Sequence, residues 1–154
     1  MRRTSAAAAA LAAALALFAA GDAAPPPAAD PFADALRAAI RKHLGKPYVW
    51  GATGLKSYDC SGFIWRVMTE AGIPVKRTTA RRLYLCLPKV PPDRQYDFGN
   101  LVFFDDLGHV GLVNSRADFF HAQLSRGTNL SPFSPYWRPK VCGFRALPGR
   151  GPKE

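Results

Sequence analysis

Residues 58–68 have the sequence YDCSGFIWRVM, which puts a cysteine at the start of a predicted amphipathic helix. Ser57 and Asp59 are residue types favoured at helix N-caps, and Gly72 supplies a stop signal. The apolar residues between them recur at helical spacing: Phe63, Ile64, Val67, Met68 and Ala71. Free backbone N–H groups and the helix dipole favour a thiolate at such a start. Cys60 is therefore either a nucleophile or a small residue that packs as a hydrophobe.

The N-terminus has the pattern of an export signal. Arg2 and Arg3 precede an Ala/Leu-rich run over 6–20, and small residues follow at 21–24. The apolar run is short for a membrane span, although a retained anchor is the alternative interpretation. We predict a signal peptide over 1–23 and hence an exported protein of the periplasm, cell envelope or medium.

The remaining chain is long enough for one domain. An Ala/Pro-rich linker is predicted over 24–31, a folded domain over 32–147 and a disordered tail over 148–154. Asp30 and Pro31 are typical of a helix start, and a short helix within 77–87 is expected to be capped by Thr78 or Thr79. His43 falls in the last turn of the first helix, where a solvated cation is expected.

The three cysteines form an odd set, which in an exported protein leaves at least one thiol unpaired. We favour a possible Cys86–Cys142 disulfide with Cys60 free. Other pairings, or three free thiols, remain open.

The net charge of +10 suits an anionic partner such as the cell envelope. A solvated basic surface is the plainer interpretation. The sequence contains no basic–aromatic recognition motif, so we expect no nucleic-acid partner. Neither a dinucleotide fingerprint nor a P-loop is present, and the Cys and His residues lack metal-ligand spacing, so we expect no cofactor and no metal.

From residue 101 onward the pattern changes to short apolar runs separated by turn residues. The runs 101–104, 109–113 and 119–122 predict an antiparallel meander, and a further strand is plausible at 141–147. The sequence therefore predicts an α+β domain.

His109 and His121 fall on neighbouring predicted strands. Pairing of Gly111 with Phe119 would set the two histidines directly opposite each other. A register slip of two residues would keep both on one face of the sheet, whereas a slip of one would separate them. One imidazole could then orient the other as a base; two unrelated polar residues on an exposed face are the alternative.

Five separate motifs resemble a known family. They are Tyr48-x-Trp50-Gly51, Asp59-Cys60-Ser61-Gly62-Phe63, Gly99-x-Leu101-Val102-Phe103-Phe104, His109-Val110-Gly111 and Phe120-His121-Ala122. In order and spacing the chain resembles the NlpC-type cell-wall cysteine peptidases, a bacterial branch of the papain-like fold. The resemblance covers about residues 44–145. Asn100 stands where the family usually has Asp, and Ala52 where a second Gly is frequent.

The resemblance implies a role for each site residue. Cys60 is implied to be the nucleophile, His109 the general base and acid, and His121 the residue that orients His109. Tyr48 is implied to stabilise the oxyanion. Asp59 and Ser61 match positions that hold the free amine of a stem peptide.

These implications together predict a papain-like fold with helices packed on an antiparallel sheet. The expected activity is hydrolysis of amide bonds in peptidoglycan stem peptides by a Cys-His-His triad, in a protein expected to be monomeric. The alternatives are an amidase or acyltransferase with the same triad, and an inactive envelope-binding protein.

Overall fold

The computed structural model of the protein describes residues 29–149. The predicted signal peptide, most of the predicted linker and residues 150–154 of the predicted tail lie outside this range. Three helices precede the sheet: α1 (Pro31–His43), α2 (Cys60–Glu70) and α3 (Ala80–Cys86). The strands are β1 (Leu101–Phe104), β2 (His109–Val113), β3 (Asp118–Gln123), β4 (Gly127–Pro132) and β5 (Val141–Arg145).

All strand pairs are antiparallel, and the strands follow one another across a single sheet in the order β4-β3-β2-β1-β5. Two short 3₁₀ turns lie at Pro92–Arg94 and Arg138–Lys140. The predicted α+β class, with helices packed on an antiparallel sheet, is confirmed.

Each helix begins at a side chain that accepts a hydrogen bond from the first turn. Asp30 accepts from the N–H of Ala33 in α1, Asp59 from that of Gly62 in α2 and Thr79 from that of Arg82 in α3. Such a cap satisfies one of the N–H groups that the helix itself leaves unpaired, and it is worth about 1 kcal/mol. The predicted caps at Asp30, Asp59 and Thr79 are therefore confirmed.

The sheet buries both of its faces. The face towards the helices carries Leu101, Phe103, Val110, Leu112 and Ala122, which pack with apolar residues of all three helices. The opposite face carries Val102, Phe104, Val113, Phe119 and Phe144, which pack with Phe133 and Trp137. A fully buried Phe or Leu side chain contributes about 1.5–3 kcal/mol. Both apolar layers therefore hold the strands in place.

The register of β2 against β3 differs from the one assumed in the sequence analysis. Val113 pairs with Phe119 and Leu112 with Phe120, so the strands are shifted by two residues. The side chain of Asp118 causes the shift: it accepts hydrogen bonds from the side chains of Asn114 (2.8 Å) and Ser115 (2.6 Å) and closes a tight turn. A shift of two keeps alternate residues on their face, so both histidines still share one.

Strand β4 was not predicted. Its sequence, GTNLSP, has no apolar alternation, yet all six of its residues pair with β3. The strand lies at one edge of the sheet, where polar residues and proline are tolerated.

His43 is buried, so the expectation that its side chain is solvated is wrong. Its Nδ1 lies 2.7 Å from the Tyr58 hydroxyl and its Nε2 lies 2.7 Å from a carboxylate oxygen of Glu70. The ring therefore links α1 to α2 instead of facing water.

Within residues 29–149, no helix combines the length and the apolarity needed to cross a bilayer. The same range contains no cluster of three or more His, Cys, Asp or Glu side chains arranged to hold a metal ion.

Candidate active site

Cys60 is the first residue of α2, and its side chain is buried with a free thiol. The sulfur lies 4.0 Å from the carbonyl oxygen of Gly108. The backbone N–H of Val110 donates towards it from the other side of His109. The thiol therefore lies against the backbone that carries His109.

The pKa of the Cys60 thiol is raised above its ordinary value, chiefly by burial. Hydrogen bonds from the N–H groups of Val110, Ser61 and Cys60 itself lower the pKa, and the charge of Asp59 raises it. The N–H groups at the helix start favour a thiolate, as the sequence indicates, but in the resting protein desolvation outweighs them and the net shift of the pKa is upward. A neutral thiol needs a base.

His109 and His121 form a hydrogen-bonded pair on the sheet face opposite the helices. Nε2 of His109 lies 2.8 Å from Nδ1 of His121. Burial lowers the pKa of His109 to about 4 and that of His121 to about 3. Both rings are therefore neutral at neutral pH, and His109 is ready to accept a proton.

Two aromatic rings hold the pair in place. Trp137 stacks on His109, with ring centroids 5.4 Å apart and planes inclined by 21°. Phe119 packs on His121 at 4.7 Å, in space left by Gly111, where an added Cβ would come within 2.6 Å of the Phe119 ring. No role for Trp137 was predicted from the sequence.

The turn between β1 and β2 is strained. Asp105, Asp106 and Leu107 have φ values of 50°, 53° and 66°, in the left-handed region. A non-glycine residue there costs about 1–2 kcal/mol. Arg81 donates to the carbonyl oxygen of Asp106 (3.0 Å), and Lys140 pairs with Asp105 (3.4 Å). The turn carries the Gly108 carbonyl to the sulfur and starts β2 at His109.

Tyr48 lies on a loop that is fastened to the start of α2. The N–H of Val49 donates to the carbonyl of Tyr58 (3.1 Å), and the N–H of Tyr58 donates to that of Pro47 (3.1 Å). Gly62 permits this approach, since a Cβ there would lie 2.2 Å from the carbonyl oxygen of Ala52. The pKa of the Tyr48 phenol is raised by burial and by Cys60 and Asp59, so the phenol remains a hydrogen-bond donor.

Asp59 and Ser61 belong to a closed network with Arg77, a residue that the sequence analysis did not single out. Arg77 donates to both carboxylate oxygens of Asp59 (3.1 and 2.9 Å) and to the Ser61 hydroxyl (2.9 Å). Asp59 also accepts from the N–H groups of Gly51 (3.0 Å) and Gly62 (2.6 Å). The carboxylate is therefore already neutralised and fully hydrogen-bonded.

A cleft opens on each side of this centre, and the two share Tyr48, Trp50 and Gly108 as lining residues. The cleft beside Cys60, of about 510 Å³, includes Arg77 and Arg81. The cleft beside His109, of about 830 Å³, includes Leu124, Tyr136 and Trp137. Trp50 is 86% exposed between them.

Comparison with known proteins identifies the family. The model of the NlpC/P60 family matches residues 45–146. The chain belongs to the NlpC/P60 family. The resemblance drawn from the sequence is therefore confirmed.

Relatives of this NlpC/P60 chain include the probable endopeptidase p60 of Listeria innocua, 38% identical over 92 residues, which are 58% of this chain and 19% of the relative. The probable peptidoglycan endopeptidase LytE of Bacillus subtilis is 32% identical over 107 residues, 66% of this chain and 30% of the relative. A Staphylococcus aureus NLP/P60-family protein superposes with a TM-score of 0.67 at 28% identity, over 82% of this chain and 44% of that one. The chain thus spans a fifth to a third of the length of these two curated relatives.

The favoured Cys86–Cys142 bridge is absent from this NlpC/P60 structure. Both residues are exposed free thiols. Cys86 ends α3 on the helix side of the sheet, whereas Cys142 lies at a register shift of β5, where Gly143 pairs with Phe103 and Val141 with Phe104. Gly143 is the residue that faces α3, because a Cβ there would lie 2.9 Å from the hydroxyl of Tyr84.

Proposed function

We propose that the protein is an exported cysteine endopeptidase that hydrolyses amide bonds in peptidoglycan stem peptides. The observation that carries the proposal is a free thiol at a helix start, against the strand whose first residue, His109, is hydrogen-bonded to His121. Membership of the NlpC/P60 family supports it, as do relatives that are named endopeptidases.

In the proposed reaction His109 takes the proton of the Cys60 thiol, and the sulfur attacks the substrate carbonyl carbon. His121 orients His109. His109 then gives the proton to the leaving amine, and water releases the acyl group from the sulfur. Since the pKa of the thiol is raised and that of His109 is lowered, the proton moves as the sulfur attacks and not beforehand.

Two donors are assigned to the oxyanion of the tetrahedral intermediate: the Tyr48 hydroxyl and the backbone N–H of Cys60. A phenol with a raised pKa stays protonated, as this role requires. Tyr48 lines both clefts beside the nucleophile, which supports the assignment.

Asp59 and Ser61 remain the proposed site for the free amine of the stem peptide, with Arg77 as the competing cation. An ammonium group would have to displace a guanidinium that makes two hydrogen bonds to the carboxylate. Comparing a stem peptide with its N-acetylated form tests the site. A higher KM for the acetylated peptide supports it, and equal KM values contradict it.

Export and an envelope location are part of the proposal. The predicted signal peptide and the net charge of +10, which suits an anionic envelope, support them. The protein is expected to act as a monomer. An amidase or acyltransferase with the same three residues, and an inactive binding protein, are the alternatives that the experiment must separate.

The deciding experiment is digestion of purified peptidoglycan, followed by mass spectrometry of the muropeptides. Wild-type protein is expected to release fragments with a new amine and a new carboxylate within the stem peptide. Cys60→Ala, matched by Cys86→Ala as an exposed-thiol control, should release none while remaining folded. Equal product from wild type and Cys60→Ala would overturn the mechanism. Cleavage between sugar and peptide would identify an amidase, and intact peptidoglycan pulled down by the protein would identify a binding protein.

A further inference from the structure

Behind the histidine pair, a chain of hydrogen bonds runs to the edge strand β4. Nε2 of His121 lies 2.8 Å from Oγ of Ser131. The Ser131 hydroxyl donates to Oδ1 of Asn129 at 2.8 Å. His121 is fully buried and Ser131 is 5% exposed, so the His121 ring forms its hydrogen bonds with protein groups and not with bulk water.

The backbone of β4 fixes the orientation of the Asn129 amide. Its Nδ2 donates to the carbonyl oxygen of Gly127 at 2.8 Å. A carbonyl oxygen only accepts, so a reversed amide would bring two oxygens together without a proton between them. Oδ1 must therefore face Ser131, and it also accepts from Nε2 of Gln123 at 3.2 Å.

From this fixed amide the proton positions follow one by one. A hydroxyl has a single proton, and Ser131 gives it to Asn129, so Ser131 can only accept from His121. Nε2 of His121 must then carry the ring proton. Because His121 is neutral, its Nδ1 is an acceptor, and Nε2 of His109 must donate to it.

We propose that Ser131 and Asn129 are positioning residues that fix the tautomers of His121 and His109, leaving Nδ1 of His109 unprotonated to take the thiol proton. Nδ1 is the ring nitrogen nearer the backbone, and the sulfur of Cys60 lies against the backbone on both sides of His109. The inference rests on the proposed function for its catalytic meaning. The tautomers themselves exist in the resting protein.

The opposite tautomers would block catalysis. If Nδ1 of His121 carried the proton, it would donate to Nε2 of His109, and the proton of His109 would move to Nδ1, facing the sulfur. Removing the Ser131 hydroxyl frees His121 to adopt this state. Removing the Asn129 amide lets the Ser131 hydroxyl turn and donate to Nε2 of His121. This hydrogen bond favours the tautomer of His121 with the proton on Nδ1.

The test is ¹⁵N NMR of histidine-labelled protein, which distinguishes the protonated from the unprotonated ring nitrogen. Wild type is expected to carry its proton on Nε2 in both rings. Ser131→Ala and Asn129→Ala are expected to shift both rings towards Nδ1 protonation. Ser131→Thr, which keeps the hydroxyl, should retain the wild-type spectrum.

Thr69→Ala is the matched control, because Thr69 also donates a short side-chain hydrogen bond (2.8 Å to the carbonyl oxygen of Trp65) but is exposed near the end of α2. On a defined stem peptide, kcat of the two β4 alanine variants should fall about tenfold with KM unchanged, since a general base is worth about 10²–10⁴-fold and is here only partly lost. Thr69→Ala should keep the wild-type kcat and spectrum.

Nδ1 protonation in either ring of the wild type would overturn the inference, and so would unchanged tautomers in both β4 alanine variants. If either variant fails to fold, the other and the wild-type spectrum still decide. Expected spectra with no peptide cleavage by wild type would refute the proposed function alone. Cleavage by wild type with unexpected spectra would refute the positioning role alone.

Discussion

At the scale of single residues, the proposed nucleophile and its proposed base are both neutral in the resting protein for one reason. Burial disfavours the charged form of each, raising the pKa of Cys60 and lowering that of His109. Such a pair differs from a preformed thiolate–imidazolium pair, because the thiol is activated only when the base and the substrate carbonyl are both in place.

The low pKa of His109 predicts the pH dependence of the reaction. kcat/KM reports groups of the free enzyme, and His109, as the proposed base, acts only when unprotonated. We therefore expect kcat/KM to fall on the acidic side with a midpoint near the pKa of about 4, not near the ordinary value of 6.5. Circular dichroism at each pH would separate titration from unfolding, and a midpoint near 6.5 in folded protein would refute the assignment.

Gly62 is required because the Tyr48 loop passes over the first turn of α2. In Gly62→Ala the new Cβ would lie 2.2 Å from the Ala52 carbonyl oxygen. We expect the loop to be displaced, with a loss of about 1–3 kcal/mol in the free energy of unfolding and a strong loss of kcat. Gly54→Ala is the control, because a Cβ there would meet only the Lys56 nitrogen at 4.0 Å. Similar urea unfolding curves for the two variants would contradict this account.

At the scale of elements, the strained turn between β1 and β2 lies directly beside Cys60 and His109. Strain of this kind persists only where the surroundings hold it, and it is common at active sites. Here Arg81 and Lys140 hold the turn. The turn therefore lowers the stability of the protein, but it places Gly108 and His109 beside the sulfur of Cys60.

Asp106→Gly tests whether the turn lowers the stability of the protein. Glycine adopts positive φ without steric cost, so we expect the free energy of unfolding to rise by about 1 kcal/mol. Asp93→Gly, in the 3₁₀ turn at Pro92–Arg94, should instead be destabilising, because glycine gains entropy in the unfolded chain. Thermal unfolding of both variants checks the prediction, and a less stable Asp106→Gly protein would show that the turn is not strained.

At the scale of the whole molecule, two buried neutral histidines make the fold sensitive to acid. Their pKa values are lower in the folded protein than the ordinary 6.5, so the unfolded chain binds more protons between pH 6.5 and those values. The stability that the two neutral histidines contribute is fully present above pH 6.5, and it is lost as the pH falls towards their pKa values in the folded protein. The loss is at most about 1.4 kcal/mol per pH unit for each histidine.

Urea unfolding at a series of pH values between 7 and 4 would measure this slope. We expect His121→Leu to reduce it, because one of the two proton-binding groups is gone, even if that variant is less stable at pH 7. His43→Gln provides a comparison at a buried histidine outside the His109–His121 pair. An identical slope in wild type and His121→Leu would show that His121 does not titrate on unfolding.

How much of this could be predicted depended on whether the cause was local. The helix starts at Asp30, Asp59 and Thr79 follow from residues that sit next to them in sequence. The raised pKa of Cys60 does not, because it comes from burial by distant parts of the chain.

The strands also fall into those with a local cause and those without one. Strands β1 to β3 have apolar runs or apolar–polar alternation in their own sequences and were predicted, whereas β4 is a strand only because β3 pairs with it. Ser131 and Asn129 were missed for that reason. The register of β2 and β3 was missed because the Asp118 side chain, and not apolar alternation, closes their turn.

The dependence of the base on β4 bears on protein engineering. Transplanting Cys60, His109 and His121 onto another scaffold would carry over the reactive groups without the amide that sets their protons. A graft would also need an outermost strand presenting an asparagine and a serine two positions apart, with a backbone carbonyl to hold the asparagine. Edge strands are often the first part removed in a minimal design, and in this domain removal of β4 would lower kcat.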